Sequence, residues 1–140
     1  MKICTITCHE VYNYGASLQA YALQTFCQNH NCEYEIIDYK PDYLSGHYNL
    51  WAISNDKFDK PIIRYAYLLA KLPGRLVRRV RKYKFDSFTA NYLCITKDRY
   101  SSCKEIEMNC PHADMYIAGS DQIWNTIFPN GHDSSFYLNF

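Results

Sequence analysis

Apolar and polar positions along this chain change period several times, and each change marks an element. Lys2 to Cys8 is a β-branched run (Ile3, Thr5, Ile6, Thr7), which reads as a strand buried early in the fold. From Gly15 to His30 no proline interrupts, and Ala16, Ala20, Leu23 and Cys27 recur at helical spacing. Glu33 to Tyr39 alternates and then runs apolar, a second strand ending before Pro41. Strand, helix and strand in that order form a βαβ unit with a right-handed crossover. Residues 41–60 lose periodicity among turn signals, and Tyr43, His47, Tyr48 and Trp51 read as packing that loop down rather than as a carbohydrate lip. Between Pro61 and Asn91, Ile62, Ala66, Leu69, Leu72, Leu76, Val80 and Tyr83 return at three-four spacing. Pro73-Gly74 is expected to split this stretch into two helices. Cys94 to Thr96 reads as a short strand, and Ser101 or Ser102 caps a helix through Met108. Asp114 to Ala118 is another strand, and the tail from Ser135 to Phe140 is expected to be extended. The pattern predicts an α/β fold, a Rossmann-like parallel sheet flanked by helices, in one domain over residues 1–140.

Composition changes this picture little, but charge changes it more. Residues 60–84 hold nine Lys/Arg and no Asp/Glu, leaving six basic against fourteen acidic residues elsewhere, which the net charge of +1 conceals. A solvated helix face is the plain reading of such a run. Its one-sidedness also suits peripheral contact with an anionic membrane. Nucleic acid is not expected, since no recognised binding module accompanies the basic segment. The seven cysteines include no Cys-x-x-Cys pair, the five histidines show no ligand spacing, and no metal site is expected. No signal-peptide core or membrane-length apolar run occurs, so a cytoplasmic location with reduced thiols is expected, peripheral at the inner face of the membrane if the basic segment binds lipid.

Candidate chemistry sits in two polar clusters, each following a strand. Asn13-Tyr14-Gly15 stands at the entrance of the first helix, with Ser17 and Gln19 in its first turns. There the helix N-terminus suits an anion or a polar sugar, while Asn13 and Gly15 read equally well as turn and cap residues. Gly119-Ser120-Asp121-Gln122-Ile123-Trp124-Asn125 follows the Asp114 strand. Trp124 reads either as a platform for a sugar ring or as a core anchor. Asp121, in a Gly-opened polar loop, is the best catalytic candidate, with a cap for a helix near Gln122 as its plainer role. If the two strands are neighbours, both clusters line one cleft beyond their C-terminal ends. Asp38 closes the second strand where nucleotide-binding folds place a ribose-binding carboxylate. The first loop lacks Gly-x-Gly-x-x-Gly, so a solvated strand end is the expectation there. His9, alone in a loop, reads as a surface residue.

Asn13-Tyr14-Gly15-Ala16 with Leu18-Gln19-Ala20-Tyr21-Ala22-Leu23, and Gly119 to Asn125, resemble the polysaccharide pyruvyl transferase family. Phe85, Phe88 and Leu93-Cys94-Ile95-Thr96 look like its middle segment, so the resemblance spans nearly the whole chain in order. It implies transfer of the pyruvyl group of phosphoenolpyruvate, as a ketal, onto a sugar of a cell-surface polysaccharide, without a further cofactor. It also implies the N-terminal half of a fold like that of B-type glycosyltransferases, with the donor-binding Arg and His in a C-terminal half outside these residues. On that reading Asn13, Tyr14, Gly15, Ser17, Gln19, Gly119, Ser120, Gln122, Trp124 and Asn125 bind a sugar or lipid-linked oligosaccharide acceptor. Asp121 orients or deprotonates its hydroxyl, and the chain alone is inactive. A non-catalytic sugar or nucleotide-sugar binding module, and half of a glycosyltransferase, are the competing readings.

Overall fold

A computed structural model describes residues 1–45, 61–119 and 122–140. Four strands, β1 (Lys2–Ile6), β2 (Glu33–Tyr39), β3 (Ile95–Tyr100) and β4 (Met115–Ala118), form one sheet in the order β3-β2-β1-β4. Every pairing is parallel, with Ile3 opposite both Tyr34 and Met115. The helices are α1 (Tyr14–Asn29), α2 (Asp42–Ser45), α3 (Pro61–Tyr92) and α4 (Cys103–Met108). The chain is thus α/β with a Rossmann-like parallel sheet, as its periodicity predicts.

Alternation along the strands divides the core between two faces. On one, Ile3, Tyr34 and Ile36 pack with Ala20 and Cys27 of α1 and with Leu93. On the other, Cys4, Ile6, Ile37 and Tyr39 pack with Ile106 of α4 and with Ile123 and Phe136 from the C-terminal segment. Gln24, buried in α1, ties the end of α3 to the start of β3. Its amide donates to the Tyr92 carbonyl at 2.8 Å, and its oxygen accepts from Cys94 N at 2.8 Å. The β2–β3 register shifts between Ile36 and Asp38, and Thr96 fills the gap. Its Oγ1 accepts from Asp38 N and donates to the Asp98 carbonyl, both at 3.0 Å.

Two expectations fail. α3 runs unbroken through Pro73 instead of splitting there. A proline deletes one intrahelical hydrogen bond and leaves the rest, so good helix formers on both sides can carry the helix across it. The tail is not a strand either: Ser134–Tyr137 is a 3-10 turn, with Ser135 N bonded to Asp133 Oδ1 at 2.9 Å and Phe136 fully buried. Of the aromatic residues read as packing the 41–60 loop, Tyr43 is described, while His47, Tyr48 and Trp51 lie outside the described residues.

Candidate functional site

Because β1 and β4 are neighbours, the loops that follow them meet above the C-terminal edge of the sheet. Between them lies a cleft of about 690 Å³. Asn13, Gly15 and Gln19 line it from the α1 side, and Gln122 faces them from the loop after β4. Cys8, Val11, Ala16, Leu44, Phe128 and Asn130 complete the described wall.

At the helix entrance Asn13 is the N-cap of α1, its side-chain oxygen accepting from Gly15 N at 2.8 Å and Ala16 N at 3.4 Å. Two of the donors that suit an anion, the N–H groups of Gly15 and Ala16, are therefore turned to the protein's own amide. Gly15 does not supply the turn either. The left-handed residue is Tyr12, at φ 49°, an unfavourable conformation for a bulky side chain. Its carbonyl accepts from Arg81 Nη2 at 2.9 Å, and its ring packs edge-on against Phe85, so α3 holds the strained loop in place.

Gln19 carries the most telling feature. Its Oε1 is buried and has no hydrogen-bond partner among the described residues. Gly119 lies close beneath it, and a Cβ there would stand 3.3 Å from Gln19 Nε2 and 3.4 Å from Thr5 Cγ2, so a small residue lets β4 pass close under α1. Gln122 is held by two asparagines: Asn125 Nδ2 donates to its side-chain oxygen at 3.1 Å, and Asn130 Nδ2 donates to its carbonyl. Gly131 allows that turn to close, because a Cβ there would collide with the Asn125 carbonyl. No charged residue lies among the described cleft lining. Burial pushes the Cys8 thiol up to about 11, with the nearby Asp133 carboxylate adding to the effect, so it is neutral too.

The other predicted site residues lie elsewhere. Tyr14 turns toward α3, its ring centroid 4.9 Å from Phe85 and 5.8 Å from the Arg81 guanidinium carbon. Ser17 is buried beside the groove between α1 and α3. Trp124 is neither a buried anchor nor part of the described cleft wall. Its Nε1 donates to the Phe136 carbonyl at 3.0 Å, and half its surface meets solvent. Asn125 supports Gln122 and caps Ile127 N at 3.0 Å. No regular helix starts at Gln122, where the chain forms turns. Ser120 and Asp121 lie outside the described residues.

Two residues read as solvated prove to be buried. His9 is 3 % exposed and Asp38 7 %. His9 Nε2 lies 3.0 Å from Asp38 Oδ1 and its Nδ1 3.2 Å from the Thr7 carbonyl. Lys40 Nζ sits 3.1 Å from Asp38 Oδ1 and also pairs with Glu10, while Arg99 Nε reaches Asp38 Oδ2 at 3.1 Å. Burial by itself would raise the Asp38 pKa, but hydrogen bonds from His9 and Lys40 outweigh it and hold the carboxyl at about 2. The sequence signal was a histidine and a carboxylate closing adjacent parallel strands, each read separately. Asp133, also unforeseen, accepts from the hydroxyls of Tyr39 and Tyr43 at 2.5 and 2.6 Å and ties the C-terminal turn to β2 and α2. Among the described residues no group of three His, Cys, Asp or Glu is placed to hold a metal ion.

The model of the polysaccharide pyruvyl transferase family matches residues 13–140, nearly the whole chain, from the N-cap of α1 through the loop after β4. The chain belongs to that family. Neither a curated protein nor a solved structure matches it. For this pyruvyl transferase family member, transferase chemistry is the general expectation, and the two loops brought together by β1 and β4 are the ones that carried the resemblance.

Proposed function

We propose that the chain forms the acceptor side of a pyruvyl transferase, and that the cleft between the two loops binds a neutral sugar. The observation that carries this reading is a cleft lined by four amide-bearing residues, Asn13, Gln19, Gln122 and Asn130, with no charge among its described lining. Side-chain amides can both donate to and accept from sugar hydroxyls. The fully ionised phosphate and carboxylate of phosphoenolpyruvate can only accept, and the helix N-terminus that suits an anion is already capped by Asn13. Donor binding therefore falls to cationic groups outside this cleft, in keeping with a second, donor-binding half outside these residues.

In the reaction, two acceptor hydroxyl oxygens bond to the central carbon of the enolpyruvyl group. Its C–O bond to phosphate breaks, the methylene carbon gains a proton to become methyl, and inorganic phosphate leaves with the other proton. Asp121 orients or deprotonates an acceptor hydroxyl, and Gln19 and Gln122 position the sugar ring. The acceptor is a sugar or lipid-linked oligosaccharide and the setting cytoplasmic.

Phosphate release tests this reading. The 140-residue chain alone should release no phosphate from phosphoenolpyruvate above a blank. In enzyme that also contains the donor-binding half, Gln19→Ala should raise the acceptor KM by roughly tenfold with the phosphoenolpyruvate KM unchanged. Asp121→Asn should lower kcat by about 10²–10⁴. Turnover by the chain alone, or a Gln19 effect on donor KM only, would refute the assignment.

A further inference from the structure

The longest described element contributes no residue to the described cleft wall. α3 extends about 48 Å at 1.5 Å per residue, and its last turns pack on α1 through Phe85, Phe88 and Tyr92, which meet Tyr14 and Tyr21. Helical periodicity puts Tyr65, Leu69, Leu72, Leu76 and Tyr83 on the opposite side, and each of them is 43–73 % exposed. Arg79 borders that stripe, Lys71 and Arg78 stand farther round the helix, and Lys82 lies over the Tyr12 ring, 5.4 Å from its centroid. The helix holds eight Lys/Arg against one acid, Asp86, which pairs with Lys82 at 2.5 Å.

We propose that α3 seats the protein on an anionic lipid surface, the apolar stripe entering the headgroup boundary and the cations of the helix drawing it to lipid phosphates and carboxylates. Charge complementarity selects this occupant. A second copy would bring two strongly cationic faces together, and nucleic acid would match the cations but leave the apolar stripe in water. A lipid interface satisfies both. Lys and Arg stems lie along apolar surface while their heads reach the anionic layer, and the tyrosines at both ends of the stripe have one apolar and one wet end. The acidic balance of the remaining chain is repelled by the same layer, which orients the molecule with α3 toward it. This inference does not depend on the sugar-binding reading of the cleft.

The test is flotation of the 140-residue chain with vesicles of phosphatidylcholine alone or mixed with phosphatidylserine, at low and high salt. Three proteins are compared: wild type, Lys71→Gln/Arg78→Gln/Arg79→Gln, and Leu69→Ser/Leu76→Ser. All five side chains are exposed, so folding is preserved and circular dichroism checks it. Wild type should float with phosphatidylserine vesicles only, and release at high salt. The charge variant should lose roughly a hundredfold in affinity and the leucine variant roughly tenfold. Absence of wild-type flotation at low salt, or equal flotation of wild type and charge variant, would overturn the proposal. An unaltered leucine variant would do so too, leaving a purely electrostatic surface of the kind that a nucleic acid or an acidic protein takes.

Discussion

Asp38 shows how one buried carboxylate can organise a strand end. Its oxygens meet His9, Lys40 and Arg99, and its backbone N–H is taken by Thr96, so the β1 and β2 termini beside the cleft are locked together. Arg99 is two-thirds exposed and adds least. With a folded pKa near 2, below the ordinary carboxylate value, Asp38 contributes stability that is complete above about pH 4. That stability is lost as pH falls toward 2, and the amount is of order 2 kcal/mol. Asp133, lowered against its own burial by the Tyr39 and Tyr43 hydroxyls, contributes in the same direction. Urea unfolding at several pH values should show wild type losing stability through that window, with Asp38→Asn less stable at neutral pH and flatter below it. Parallel curves for the two proteins would show that the carboxylate is not held as described.

The elements were legible where a single period ran long enough to be unambiguous. α1 carries apolar residues on one face for four turns, and β2 places Tyr34 and Ile36 on one side and Ile37 and Tyr39 on the other. The tail was misread because Ser135-Phe136-Tyr137-Leu138 is too short to tell alternation from a 3-10 turn. What decides it is a local cap from Asp133 and the burial of Phe136, neither visible as a period. His9 and Asp38 were misread for a related reason: their pairing depends on β1 lying beside β2, a tertiary fact. Gln24 is the element-scale counterpart, a polar residue in the helix interior whose two bonds join α1 to the α3–β3 junction. Gln24→Leu removes the partner of the Tyr92 carbonyl and of the Cys94 N–H at a part-buried junction, so it should destabilise the chain by roughly 1 kcal/mol. Hydrogen exchange should quicken first at Cys94 and along β3. An unchanged urea midpoint would show that these backbone groups find other partners.

At the scale of the whole molecule, three features divide the work: a cleft above β1 and β4 with no charge among its described lining, a buried charge cluster beside it, and a cationic, apolar-striped helix outside the described cleft wall. Among the described residues no helix is long and apolar enough to cross a membrane, so attachment through α3 would be peripheral. The cleft itself was half legible in the sequence. Asn13, Gly15, Gln19 and Gln122 do line it, whereas Tyr14 and Ser17 line the groove between α1 and α3, and Trp124 and Asn125 bond within the C-terminal segment. Neighbouring positions in a motif point to different sides of a helix or turn, and spacing alone does not say which side faces the ligand. Asn130 entered only through the fold, eight residues beyond the Gln122 whose carbonyl it holds. The central claim is that this cleft takes a neutral sugar and leaves the anionic donor to other groups. Nitrogen-15 NMR of the chain, titrated separately with a panel of methyl glycosides and with phosphoenolpyruvate, tests that claim most directly. The account predicts that at least one glycoside shifts the side-chain amide signals of Gln19, Gln122 and Asn130 while phosphoenolpyruvate leaves them in place; shifts with phosphoenolpyruvate and none with any glycoside would contradict it.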